Sequence, residues 1–150
     1  MKKPLFFSLA VLLVVGGVFA TSTRFIDYLF DNPATCNNCH VIGTVYGGWQ
    51  HSTHRECATC NDCHTPHDFV PKYIVKATNG IRHVTAFATG HIPAAIRAIP
   101  ATRDIVQANC IRCHEEAVSL IGDGKMDAGR YCFECHRSVA HGPRALALEP

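Results

Sequence analysis

The pattern Cys-x-x-Cys-His occurs four times in this chain, at Cys36–His40, Cys60–His64, Cys110–His114 and Cys132–His136. Five contiguous residues are the minimum that place two thioether bonds and one imidazole on a single macrocycle. This is the attachment pattern of a c-type haem: the thiols of Cys36 and Cys39, Cys60 and Cys63, Cys110 and Cys113, and Cys132 and Cys135 add to the vinyl groups. His40, His64, His114 and His136 then lie beneath the irons as ligands. A zinc site also uses paired cysteines, but it has no need of a histidine after every second one. A disulfide framework has no such need either. Four copies in 150 residues therefore predict four covalently bound c-type haems.

That expectation constrains the fold. With roughly 120 residues outside the N-terminal segment, each haem has ~30 residues to enclose it, so the macrocycles must supply most of the core. The fold class expected is mainly α with much irregular structure, in short helices that carry the motifs. The formal net charge is +2, no basic stripe runs along the chain, and nucleic-acid binding has no support. Nine cysteines are present. Eight belong to the motifs, and Cys57, followed three residues later by Cys60 and then by Asn61, reads as a small packed side chain.

Leu5 to Ala20 carries no charge, and it follows Met1-Lys2-Lys3-Pro4. Two readings compete. Val18-Phe19-Ala20 has small enough residues for a cleavage site, and the run is close to signal length. Alternatively Pro4 to Thr23 just suffices to span a bilayer, with Lys2 and Lys3 holding the N-terminus in the cytoplasm. Either way the remainder is exported. Phe25, Tyr28 and Phe30 suit a membrane interface as well as an ordinary helical turn. The expected division is an anchor and juxtamembrane segment over 1–30 and a haem domain over 31–150.

Motif two begins 24 residues after motif one and motif four 22 after motif three, so the haems form two pairs. Gly43, Gly47 and Gly48 suggest an irregular loop before Trp49. Between the pairs, Val70, Tyr73, Ile74, Ala77, Ile81 and Val84 recur at near-helical spacing with Lys72, Lys76 and Arg82 interleaved. Such a helix fits a membrane surface or packing on haem with a solvated basic face. Pro93 and Pro100 leave at best a short helix over Ala94–Ile99.

Six histidines lie outside the motifs: His51, His54, His67, His83, His91 and His141. Low-spin electron carriers take a second protein ligand on most irons. The candidates are His54, His83 and His141. His141 stands too close to His136 to reach the opposite face of the same haem, so as a ligand it serves another.

An apolar N-terminus followed by two pairs of these motifs resembles the NapC/NirT family of membrane-bound, quinol-oxidising tetrahaem cytochromes. The segment Cys60-Asn-Asp-Cys-His-Thr-Pro-His67, the Lys72 to Gly80 helix, and Tyr131-Cys-Phe-Glu-Cys-His-Arg-Ser-Val-Ala-His141 look most like its small-subunit branch, the NrfH type. The resemblance implies a retained single-pass anchor in the cytoplasmic (inner) membrane with the haem domain on the periplasmic side. It implies oxidation of menaquinol near haem 1 and electron delivery to a periplasmic multihaem nitrite reductase catalytic subunit that forms ammonium. The chain would then be the electron-transfer subunit and not the nitrite-reducing one.

The resemblance also implies His54 and His141 as distal ligands to haems of the second pair, and a lysine and an acidic residue beside haem 1. Lys76 matches the lysine, while the acidic position falls on His83. A further departure stands at Ile42, where the family often has a methionine ligand. Only Met1 and Met126 exist in the chain, so haem 1 is expected to lack methionine ligation, with His40 on one face and His83 as either distal ligand or quinol base. Lys76 or His83 would orient the quinol hydroxyl or take its proton. Alternatives are a quinol dehydrogenase of the same family feeding another periplasmic reductase, or a soluble periplasmic tetrahaem carrier.

Overall fold

The structure is a computed structural model that describes residues 2–22, 24–93, 96–119 and 130–142. Among these residues there are helices and turns and no strands. The chain divides into two compact units, residues 1–43 and 44–150.

The first unit opens with α1, Lys2–Ser22. Its apolar stretch Pro4–Ser22 is 19 residues long and has none of its surface covered by protein. At ~1.5 Å per residue this is about 28 Å, close to the ~30 Å of a hydrocarbon core. An all-round apolar helix has no wet face to offer, which is the pattern of a span and not of an amphipathic surface helix. Arg24 ends it in the left-handed region, φ 52, and its guanidinium holds Asp27 at 2.7 Å. Three 3-10 turns follow, Phe25–Leu29, Pro33–Asn38 and His40–Ile42. Asn32 caps the second by accepting from the Ala34 amide at 3.0 Å. Motif one is laid out along the last two turns.

The second unit holds α2 (Gly43–Gln50), α3 (Cys60–His64), α4 (Phe69–Ala88), α5 (Pro100–Ser119) and α6 (Cys132–Cys135). The glycine-rich stretch expected to be an irregular loop is the helix α2. Gly48 earns its place by what approaches it: a Cβ there would lie 2.1 Å from the carbonyl oxygen of His141. Residues 96–99 are not helical. Helix α5 starts instead at Pro100, where the missing N–H costs nothing. Helices α4 and α5 run to 20 residues each: α4 is the helix expected between the motif pairs, and α5, which carries motif three, is longer than the short motif-bearing helices expected. Proline sits in the first turn of both, α4 then runs on with its periodic apolar residues, and α5 is kinked at His114.

The motifs carry their own caps. In α3 the Asp62 carboxylate accepts from the Thr59 amide at 2.8 Å, and Thr59 Oγ1 accepts in return from the Asp62 amide at 3.4 Å. This is a capping box. In α6, Glu134 accepts from the Tyr131 amide at 3.4 Å. Acidic residues between the two cysteines thus start the short helices that present motifs two and four.

Among the described residues no apolar side chain is buried. The buried positions are the polar Thr35, Thr65 and Asn109. Helix α3 packs on α5, and α6 joins α5. That second joint is polar: Arg103 pairs with Glu134 and stacks over Tyr131 at 4.5 Å. Tyr131 donates to Asp104 at 2.6 Å, and the Cys132 amide donates to Gln107 Oε1 at 2.8 Å.

Candidate haem-ligand site

None of the nine cysteines is in a disulfide, and among the described residues no three His, Cys, Asp or Glu side chains converge as a metal cluster would. The sulfurs stand in pairs on short helical turns. Cys110 and Cys113 lie one turn apart on α5, whose dihedrals break at His114, φ −108 and ψ 21. The break falls just where the motif ends. Burial pushes the Cys110 thiol up to about 11 and raises Cys63 as well.

Two pairs of imidazoles face each other in the second unit. His64 and His141 have ring centres 6.0 Å apart, with planes inclined by 28°. His54 and His114 have centres 6.1 Å apart, with planes at 64°. Two imidazoles sharing one metal, with bonds of ~2.0–2.1 Å and roughly 1.1 Å from ring nitrogen to ring centre, place their centres about 6.3 Å apart. Both distances therefore suit a metal between the rings.

The outer nitrogens agree. His54 Nδ1 lies 3.3 Å from the Val139 carbonyl and His141 Nδ1 3.4 Å from the Val45 carbonyl. A ligating histidine uses its far nitrogen in this way, which fixes the tautomer and leaves Nε2 to the metal. Burial, then the charge of His141, lowers His64 to about 4. Burial likewise lowers His141. Both stay neutral at physiological pH, the form that binds metal. Donor type, spacing and tautomer thus fit c-type haem with two histidine ligands per iron in these two places.

The pairing differs in one respect from expectation. His54 meets His114, in the second motif pair. His141 meets His64, in the first motif pair. The Gly48 contact explains it: α2 lets the His141 backbone come close, and Val45, one turn earlier, orients its ring. Of the other histidines, His51 Nδ1, just past the end of α2, lies 2.7 Å from the Gly47 carbonyl, and His67 Nε2 lies 3.2 Å from the Asp62 carbonyl. Each is occupied locally.

His40 and Ile42 lie in the first unit, His136 in the second. Lys76 and His83 stand two turns apart on α4, which brings them to one face. Lys76 Nζ lies 5.5 Å from the Tyr73 ring centre. Burial, then the charge of Arg82, lowers His83. Met126 and Met1 fall outside the described residues. Gly48 is named by the sequence only as a loop residue, and Asn109 not at all; the signal at Asn109 is a poor helix former inside a helical stretch, next to the attachment residue Cys110.

The comparisons with known proteins agree with this chemistry. The profile described as "NapC/NirT cytochrome c family, N-terminal region" matches residues 1–145. The chain is 36% identical over 158 residues to "Cytochrome c-type protein NrfH" of Wolinella succinogenes, covering 95% of this chain and 89% of the relative. It is 35% identical over 135 residues to "Cytochrome c nitrite reductase subunit NrfH" of Nitratidesulfovibrio vulgaris, covering 86% and 82%. Among solved structures it is similar to a chain of the cytochrome c nitrite reductase NrfHA complex bound to the HQNO inhibitor. The TM-score is 0.68 at 31% identity, over 97% of this chain and 98% of that one. With repeated attachment motifs, two facing imidazole pairs and a match spanning nearly its whole length, this chain belongs to the NapC/NirT cytochrome c family.

Proposed function

We propose that this chain is the membrane-anchored tetrahaem subunit of a cytochrome c nitrite reductase, one that oxidises menaquinol and passes the electrons to a periplasmic multihaem catalytic subunit reducing nitrite to ammonium. The names of the relatives and the likeness to the NrfHA complex support the partner. The observation that carries the electron-transfer role is the pair of facing imidazoles, His64 with His141 and His54 with His114. Irons held between the rings of these two pairs would suit electron passage and would be closed to a substrate.

Bound c-type haem supplies one-electron redox steps at its iron. The chain's residues do the rest. The eight motif cysteines would fix the macrocycles, and the four motif histidines would each ligate an iron. His141 and His54 would serve as the second ligands at motifs two and three. In the first unit His40 would be the ligand, and Ile42 offers only carbon where the family often has sulfur. The described apolar helix keeps the protein at the bilayer, where menaquinol dissolves. The haem domain faces the periplasm, since Lys2 and Lys3 stay inside. On α4, Lys76 hydrogen-bonds a quinol oxygen. His83, kept neutral by burial and Arg82, takes a quinol proton and releases it outside.

Deleting this chain should abolish quinol-dependent nitrite reduction by membranes while reduction with an artificial donor persists. Loss of both, or of neither, would defeat the donor role. Intact mass should show four haem additions, and N-terminal sequencing should not begin at Thr21.

A further inference from the structure

Asn109 is 8% exposed, in a unit whose described residues bury no apolar side chain. Its amide nitrogen donates to the Cys63 carbonyl at 3.0 Å and to the Thr65 carbonyl at 2.9 Å. Those two carbonyls flank His64. Thr65 is itself 4% exposed, with its hydroxyl on the Asn61 carbonyl at 2.7 Å, so the turn that carries His64 is held from both sides.

The position of the donor gives the contact its meaning. Asn109 immediately precedes Cys110, the first attachment cysteine of motif three. Cys63 is the second attachment cysteine of motif two. One side-chain amide, using both of its hydrogens, therefore ties the backbone of one motif to the backbone of the next. A five-residue helix such as α3 leaves its last carbonyls without helical partners. Here two carbonyls at its end are satisfied by the neighbouring motif. The contact to Thr65 is buried and that to Cys63 half-buried, where an unmade hydrogen bond is costly.

We propose that Asn109 is a positioning residue that registers motif two against motif three. It holds the plane of the His64 imidazole against His141 and sets the placement of the haems on the two motifs, and hence the electron step between them. This rests on the reading that both motifs carry haem.

Electron paramagnetic resonance of the ferric full-length protein in its membrane complex tests it. The spectrum of a bis-imidazole iron follows the angle between the ligand planes. The His64–His141 pair, at 28°, gives a rhombic low-spin signal. The His54–His114 pair, at 64°, gives a more anisotropic one. In Asn109→Leu, close in volume and without donors, four haem additions should remain while the rhombic signal moves. Quinol-driven nitrite reduction should fall about tenfold with the quinol KM unchanged, as small misplacements remote from the chemistry can do. Asn109→Asp, which sets a carboxylate against two carbonyls, should be worse. Asn109→Gln, which keeps both donors, should restore part of the signal.

Four haems with an unmoved signal and rate in Asn109→Leu and Asn109→Asp would overturn the role of Asn109 alone. If neither variant accumulates, Asn109→Ser is read by the same signal, and no movement overturns the proposal equally. Fewer than four haem additions in the unsubstituted protein would instead overturn the tetrahaem reading beneath it.

Discussion

The ring planes of His64 and His141 are inclined by 28°, and the Nδ1 of His141 is held 3.4 Å from the Val45 carbonyl. One residue comes from the first helix-borne motif of the second unit and the other from the end of its described chain. Helix α2 supports His141 in that place, since its Gly48 admits the His141 carbonyl and its Val45 carbonyl meets the ring nitrogen.

On the ligation proposed above, removing His141 or His54 should open an iron. His141→Ala and His54→Ala are each expected to retain four covalent haems by intact mass, because attachment depends on other residues. Each should convert one low-spin iron to high spin by near-infrared magnetic circular dichroism. Changes in groups that only orient a metal ligand already cost about 10–100-fold, so electron throughput should drop by at least that much. An unchanged spin-state count would reject the pairing.

Gly48→Ala should disturb the same iron from a distance. The added Cβ would meet the His141 carbonyl carbon at 2.6 Å, and backbone cannot swing aside as a flexible side chain can. Overpacking of this kind costs about 1–3 kcal/mol. Thermal unfolding should register the loss, and the His64–His141 signal should broaden or move. Gly47→Ala, where a Cβ meets nothing within 4 Å, is the matched control and should leave both unchanged.

At the quinol end, Lys76→Leu should lower kcat/KM for menaquinol while nitrite reduction with an artificial donor is kept. The pH profile reports on His83. Its ordinary titration is lowered first by burial and then by the Arg82 charge. Neutral imidazole is the proton acceptor, so activity should fall as pH drops through the lowered value. Arg82→Gln removes one lowering influence, so the acidic limb should move to higher pH. A limb that moves the other way, or that survives in His83→Ala, would exclude His83 as the base.

The joint between α5 and α6 predicts a fold effect. Arg103 pairs with Glu134 and lies 4.5 Å from the Tyr131 ring centre. Both ion-pair partners are over a third exposed, so solvent screening keeps their pairing to about 1 kcal/mol or less. Arg103→Ala should lower Tm by a few degrees and leave four haems attached. Loss of the motif-four haem alone would mean instead that Arg103 is needed for attachment.

Much of this protein is legible in contiguous residues. A c-type haem site is written in five of them, Cys60 to His64 for instance, because two thioethers and one imidazole reach a macrocycle only from such a run. The apolar helix is equally local, since a span needs only length and composition. The capping acids Asp62 and Glu134 act three residues from their partners. What the tertiary structure alone decided is which distant histidines come together. His54, His83 and His141 were equal candidates as sequence, and nothing in their spacing pairs His141 with His64 and not with a later motif. That choice belongs to the path of the backbone, to a glycine that admits the His141 carbonyl and to the carbonyls of Val45 and Val139 that aim the rings. Asn109 is the same case, since its two acceptors lie far away in the chain. The second face of an iron can be filled from any point that folding brings within a bond length, and only the folded chain selects that point.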